Sequence, residues 1–341
     1  MLNEFDTGAS RKDIVVHGQE PSLADIYLAR RRIRHKVFGT PLVESQPLSK
    51  LTGSEIYLKL ENLQKTGSFK LRGATNKIMS LEPGTLKKGV ITVSSGNHGL
   101  AVSYAARELG IPVYISVSSA TAEHKVTAIH NMGAEVLMDG GTYDEAADVA
   151  NQKMNDLNLT MIHPYDDPDI IAGQGTIGLE IIEDLPEIDA VLVPLSGGGL
   201  MSGIALALKT IKPSIHVVGI SMDHGPAMVE SIKAGRIVEV DEQPSLADSL
   251  VGGLGRENHY TIKMVEKYVD EMVLVSEDEI AAGMVFALEQ HRQVLEGGGA
   301  VGIAALMAKK VRHLGNHVVI VASGGNVSLP TLIDLARSSR H

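Results

Sequence analysis

The sequence contains no cysteine. That removes disulfide staples, thiolate nucleophiles and cysteine-ligated zinc together, and it suits a reducing compartment. No apolar run approaches the ~18 residues of a membrane span. Met1–Glu20 is polar and acidic, unlike a secretory leader. These features predict a soluble, cytoplasmic protein with a frayed start. Basic residues number 31 against 41 acidic ones, a formal net charge of −10. The balance argues against nucleic-acid and acidic-membrane partners, whose phosphates need a basic surface. Three catalytic signatures are also missing. There is no G-x-x-x-x-G-K-[ST] phosphate loop, no G-x-S-x-G nucleophile turn and no H-E-x-x-H metal pair.

What is present is ordinary globular chain with one excess. The 341 residues suit about two domains. A content of 44% hydrophobic and 21% charged residues can bury a core. Glycine is over-represented at 35 residues, with no collagen period or low-complexity tract. Glycines in such number point to loops where backbone approaches something closely.

Ser22-Leu-Ala-Asp25 predicts a capped helix running into the basic stretch Arg30–Lys36, read as a solvated helix face. From Gly89, short β-branched runs alternate with amphipathic stretches. The runs are Val90–Val93, Val113–Val117, Val136–Met138, Ala190–Val193, His216–Ile220 and Val318–Val321. Helical stretches fall at Leu100–Leu109, Ala122–Met132, Tyr143–Leu157, Gly173–Ile182 and Leu200–Leu208. This alternation predicts an α/β fold of parallel sheet flanked by helices.

Three of the strands run into Ser/Gly turns: Ser94–Gly99, Ser196–Gly199 and Ser323–Asn326. In open α/β sheets ligands bind beyond the carboxyl ends of strands, where these turns fall. Ser196-Gly197-Gly198-Gly199 ahead of a helix offers an anion cradle. A dinucleotide fits poorly there, because the G-x-G-x-x-G spacing through Gly197 and Gly199 meets Ser202. A cofactor with one phosphate and a covalent tether is the alternative. In Gly67-Ser68-Phe69-Lys70-Leu71-Arg72-Gly73 a lysine sits among glycines and apolar residues near a second cation. Such surroundings disfavour the ammonium and leave an amine able to form a Schiff base.

Glu61–Ala74, which contains that lysine, resembles the lysine motif of fold-type II pyridoxal-phosphate enzymes, in the branch of threonine dehydratase and serine racemase. The resemblance runs in the family's order through Ser94–Gly99, Ser196–Leu200, Leu295–Gly302 and Ser323–Asn326. It implies a two-domain fold like the tryptophan synthase β chain. Residues 1–85 and 167–341 would form the large domain, and 86–166 a small inserted one. It implies pyridoxal 5′-phosphate carried on Lys70, which would also act as the α-proton base. Ser196, Gly197, Gly198, Gly199 and Leu200 would hold the phosphate. Asn97 would meet the phenolic oxygen, Phe69 would pack near the ring, and Ser323 would meet the pyridine nitrogen. Ser94, Ser95, Asn97 and His98 would face the substrate carboxylate, with Ser95 as the base opposite Lys70.

The activity implied is loss of water from a β-hydroxy amino acid, an EC 4.3.1-type reaction, with racemisation through Lys70 and Ser95 as the alternative. A small amino-acid substrate and a homodimer follow from the same resemblance. Gly219-Ile-Ser-Met-Asp223 lacks the glutamate with which racemase-like relatives bind a divalent cation, so no metal site is expected. Ser245–Gly255 departs from the family's Ala-Asp-Gly and resembles the hydroxyectoine-utilisation dehydratases. Only about 15 residues follow Asn326, which leaves no room for an isoleucine-sensing regulatory domain.

Overall fold

A computed structural model describes residues 19–338; the expectation for Met1–Glu20 falls almost wholly outside them. Among the described residues, ten strands form two sheets flanked by helices. The strands are β1 (Leu42–Glu44), β2 (Glu55–Leu60), β3 (Val90–Val93), β4 (Val113–Ser116), β5 (Glu135–Leu137), β6 (Thr160–Met161), β7 (Ala190–Pro194), β8 (His216–Met222), β9 (Glu271–Val275) and β10 (His317–Ala322). One sheet has the order β1-β2-β10-β7-β8-β9, and the other β5-β4-β3-β6. All pairings are parallel except β1 with β2. The architecture is the mixed α/β fold that the alternation predicts.

The central strands read as continuous apolar runs because both of their faces are covered. β7 and β10 are buried along nearly their whole length. Ile320 and Leu192 face one apolar cluster with Val301 and Ile303, while Val319 and Val191 face another with Ile204 and Ile177. The predicted cap is present: Ser22 and Asp25 form a reciprocal capping box on the helix Leu23–Ile33. Of the three basic residues in its last turn, Arg30 pairs with Glu183 and Arg32 with Asn76 and Asp169, while Arg31 is exposed.

β2 carries a lysine into the interior. Lys59 is fully buried, and its Nζ lies 2.7 Å from Glu180 and 2.6 Å from the carbonyl of Thr40. Arg72, also buried, forks between Glu61 and Glu180 at 2.6–2.8 Å. This network ties β2 to the helices Lys70–Ser80 and Pro168–Asp184.

Several glycines serve helix packing. A Cβ on Gly203 would lie 2.3 Å from Ile171 O, and one on Gly73 2.4 Å from the Gln174 side chain. Gly173, Gly175 and Gly178 have G-x-G-x-x-G spacing but sit inside the helix Pro168–Asp184, where backbones pass closely. That placement serves packing, since dinucleotide binding needs the glycines at a strand-to-helix turn. At Gly252 and Gly253, by contrast, an added Cβ would meet nothing within 4 Å.

Candidate active site

Because β2, β7 and β10 are parallel neighbours, their carboxyl ends share one edge of the sheet. The chain leaving β2 returns along the chain leaving β10. Phe69 N donates to Ser323 O at 3.0 Å, Gly325 N donates to Gly67 O at 2.9 Å, and Ser68 bridges Gly324. This pairing sets Lys70, the first residue of its helix, beside the Ser323 turn. Lys70 Nζ donates to Pro164 O at 2.8 Å and lies 5.3 Å from the centre of the Phe69 ring. Burial pulls its pKa down to about 8, with Glu296 opposing. The neutral amine is therefore accessible near neutral pH.

The Ser196–Gly199 turn follows β7 and opens the helix Gly199–Ile211. Gly198 adopts φ +88°, a left-handed conformation that favours glycine. A Cβ on Gly197 would lie 2.4 Å from the Tyr165 ring, and one on Gly199 2.8 Å from Tyr165 O. Ser196 Oγ donates to Leu250 O at 2.9 Å, and Leu200 packs into the apolar cluster beneath. The first N–H groups of such a helix lack intrahelical partners and carry its positive end.

Pro164 and Tyr165 belong to a turn that links the Lys70 and Ser196 regions. His163 Nδ1 accepts from Asp166 N at 2.7 Å. The Asp166 carboxylate accepts the N–H groups of His259, Tyr260 and Thr261, capping the helix Thr261–Tyr268.

After β3, Ser94, Ser95 and Asn97 are half-buried at the start of the helix Asn97–Leu109. His98, in the first turn of the same helix, is buried. Its imidazole is 3% exposed, with Nε2 3.0 Å from Ile162 O. Burial, with Lys70 nearby, drops its pKa to about 3, so the ring is uncharged. The ring is held by Ile162 O through Nε2, and the backbone N–H of His98 lies in the first turn of the helix.

Ser323 is buried with Oγ 3.4 Å from Gly298 O. Glu296, to which the sequence alone assigns no role, is 4% exposed and accepts from Asn97 Nδ2 at 2.7 Å and Asn326 N at 3.1 Å. Burial raises its pKa and Asp248 adds to this, while Ser249, Asn97 and Asn326 oppose as donors. Its only signal in the sequence is its position ahead of Gly297-Gly298-Gly299. The Lys125–Asp248 pair, at 3.0 Å, joins the helix Glu123–Asn131 to the turn bearing Ser249. Among the described residues, no group of three or more acidic or histidine side chains is placed to hold a metal ion.

A glycine turn at a helix N-terminus, close to a half-buried lysine of depressed pKa, suits a ligand with one phosphate and one aldehyde. The sequence comparisons agree with that class. Residues 33–324 match the family described as pyridoxal-phosphate dependent enzyme. An L-threonine ammonia-lyase of Thermotoga maritima is 45% identical over 308 residues, covering 90% of this chain and 76% of the relative. Maize serine racemase superposes with a TM-score of 0.88 at 33% identity, covering 94% of this chain and 98% of that one. The processed form of threonine deaminase isoform 2 from Solanum lycopersicum gives 0.84 at 32% identity, with 98% and 93% covered. The chain belongs to the fold-type II pyridoxal-phosphate-dependent enzymes, among the relatives of threonine dehydratase and serine racemase. The cofactor of this family is pyridoxal 5′-phosphate.

Proposed function

We propose that this protein is a pyridoxal-phosphate-dependent lyase that removes water from a β-hydroxy amino acid of the serine, threonine or hydroxyectoine-derived kind. The products are a keto acid and ammonia. The observation that carries the reading is Lys70, a half-buried lysine held by Pro164 O in the turn whose Tyr165 packs on the glycines of a helix N-terminus. The cofactor, when bound, supplies the electron sink that acidifies the substrate α-carbon. Lys70 would hold the cofactor and, once freed by the substrate's amine, would take the α proton. Ser196–Leu200 hold its phosphate, Asn97 and Phe69 hold the ring, and Ser323 offers the ring nitrogen a hydroxyl. That hydroxyl makes a weaker sink than a carboxylate would, which suits elimination over transamination. Ser94, Ser95 and the N–H groups of the helix start, those of Asn97 and His98 among them, bind the substrate carboxylate. The β-hydroxyl leaves as water, and the enamine hydrolyses.

The test is release of keto acid and ammonia from serine, threonine, β-hydroxyaspartate and hydroxyectoine-derived amino acids. Release from at least one is expected; no release from any ends the reading. Racemisation is the second reading, favoured by the half-buried Ser95 at the cleft and the likeness to maize serine racemase. Chiral analysis after incubation with L-serine decides it, and absence of D-serine removes it.

The same reading includes an inserted domain at 86–166, supported by a second sheet whose strands all lie within residues 90–161. It also includes a homodimer. Phe38, Leu63 and Val294 are 51%, 45% and 40% exposed. They lie near one another, since Gln64 bonds Phe38 and Asn62 bonds Val294. Light scattering on the purified protein tests the dimer. A cytoplasmic location suits the cysteine-free chain.

A further inference from the structure

We propose that Glu296 is a positioning residue that fixes the Asn97 amide so that Asn97 turns an N–H, not its carbonyl oxygen, toward the cofactor ring. The inference rests on the reading above that Asn97 meets the ring's phenolic oxygen. It also explains a buried carboxylate to which that reading gives no task.

A side-chain amide has two orientations, and only its hydrogen-bond network chooses between them. Here the network is anchored at both ends by groups that only accept. At one end Thr66 O accepts from Asn326 Nδ2 at 2.8 Å. The same nitrogen donates to Asn97 Oδ1 at 2.7 Å, so that oxygen is taken. At the other end Glu296 Oε1 accepts from Asn97 Nδ2 at 2.7 Å. One hydrogen of that nitrogen is thus committed and the second remains for a ligand.

Glu296 is itself held. Its Oε2 accepts from Asn326 N, Ser249 donates to it, and a Cβ on Gly324 would lie 2.7 Å from Oε1. Reversing Asn97 would set its carbonyl against the Glu296 carboxylate and its amino group against the amino group of Asn326. Both contacts are repulsive. The carboxylate therefore selects which end of Asn97 the ring oxygen meets.

The test is a double-substitution cycle in the purified holoenzyme, read by cofactor dissociation constant and by the pH midpoint of the visible absorption band. Glu296→Gln should weaken cofactor binding about tenfold and move the midpoint by roughly one pH unit. In an Asn97→Ala background it should change neither, because it acts through Asn97. Glu296→Asp keeps the charge but withdraws the oxygen by one methylene, and it should behave like Glu296→Gln. It is also the variant to use should Glu296→Gln not fold. Additive effects of Glu296→Gln and Asn97→Ala overturn the proposal, as does wild-type behaviour of Glu296→Asp. If Asn97→Ala alone leaves binding and spectrum unchanged, the assignment of Asn97 to the ring fails and carries this proposal with it. The assignment of Lys70 is untouched by that result.

Discussion

Lys70 Nζ donates a 2.8 Å hydrogen bond to the carbonyl oxygen of Pro164, 94 residues further along the chain. The lysine begins the helix Lys70–Ser80, and Pro164 lies in the turn whose Tyr165 packs against Gly197 and Gly199. One bond therefore registers the reactive amine against the helix end proposed to hold a phosphate. A neutral carbonyl partner holds the amine without adding a counter-charge, which keeps the cost of burial on the ammonium.

Replacing the amine removes both its proposed tasks. Lys70→Ala should lose the visible band of the cofactor–lysine adduct and lower kcat by ~10³-fold or more. Absorbance spectra and keto-acid release check this. A band like that of the wild type would exclude Lys70 as the attachment point.

The titration of Lys70 can be followed directly. In cofactor-stripped protein its reaction with a small aldehyde should rise with a midpoint near pH 8, rather than the ordinary 10.5. Between those values the unfolded chain binds more protons than the fold. The penalty of burying Lys70 is thus full below about pH 8 and fades as pH rises to 10.5. Rate against pH, followed by mass spectrometry of the modified lysine, measures the midpoint.

Two histidines give the opposite end of the pH profile. His98 is held at about 3 and His163 at about 4, in both cases chiefly by burial. Their stabilising contribution is full above about pH 6.5 and is lost as pH falls toward those values. His98→Gln can keep a donor on Ile162 O without titrating. It should reduce the loss of stability below about pH 6 by up to ~1.4 kcal/mol per pH unit. Urea melts at about pH 7 and about pH 5, on either side of the ordinary histidine range, compare the two proteins.

Gly197 faces the Tyr165 ring with no room for a side chain. Gly197→Ala forces a Cβ to 2.4 Å from that ring, an overpacking of ~1–3 kcal/mol. The turn must shift, and the cofactor dissociation constant should rise by about tenfold or more. Titration of stripped protein with pyridoxal phosphate measures it.

Arg72, 1% exposed, holds together the buried Glu61 and the half-buried Glu180. Glu61 and Glu180 outweigh the burial that would weaken its charge, and its pKa is raised. Arg72→Met leaves those carboxylates short of a counter-ion and should cost ~3–5 kcal/mol, seen as a lower urea midpoint.

The sequence by itself determined the elements whose causes are local. Val90–Val93 and Val318–Val321 are apolar, β-branched runs, and both are strands. The lysine motif and the three Ser/Gly turns are legible because each is a short contiguous string. β2 is not, because Glu55-Ile-Tyr-Leu-Lys-Leu60 places a lysine where a buried strand should be apolar. Glu180, Asp184 and the carbonyl of Thr40, brought by other elements, make that burial tolerable. The glycine excess has more than one cause. Some glycines line the turns, while Gly73, Gly173 and Gly203 let helices touch, and Gly252 and Gly253 have open space where a Cβ would stand. Tertiary structure alone decided the electrostatics of the site. The burial of His98 and the grip of Glu296 on Asn97, 199 residues apart, depend on packing across loops. Desolvation and hydrogen-bond direction belong to the assembled space, which no contiguous string encodes.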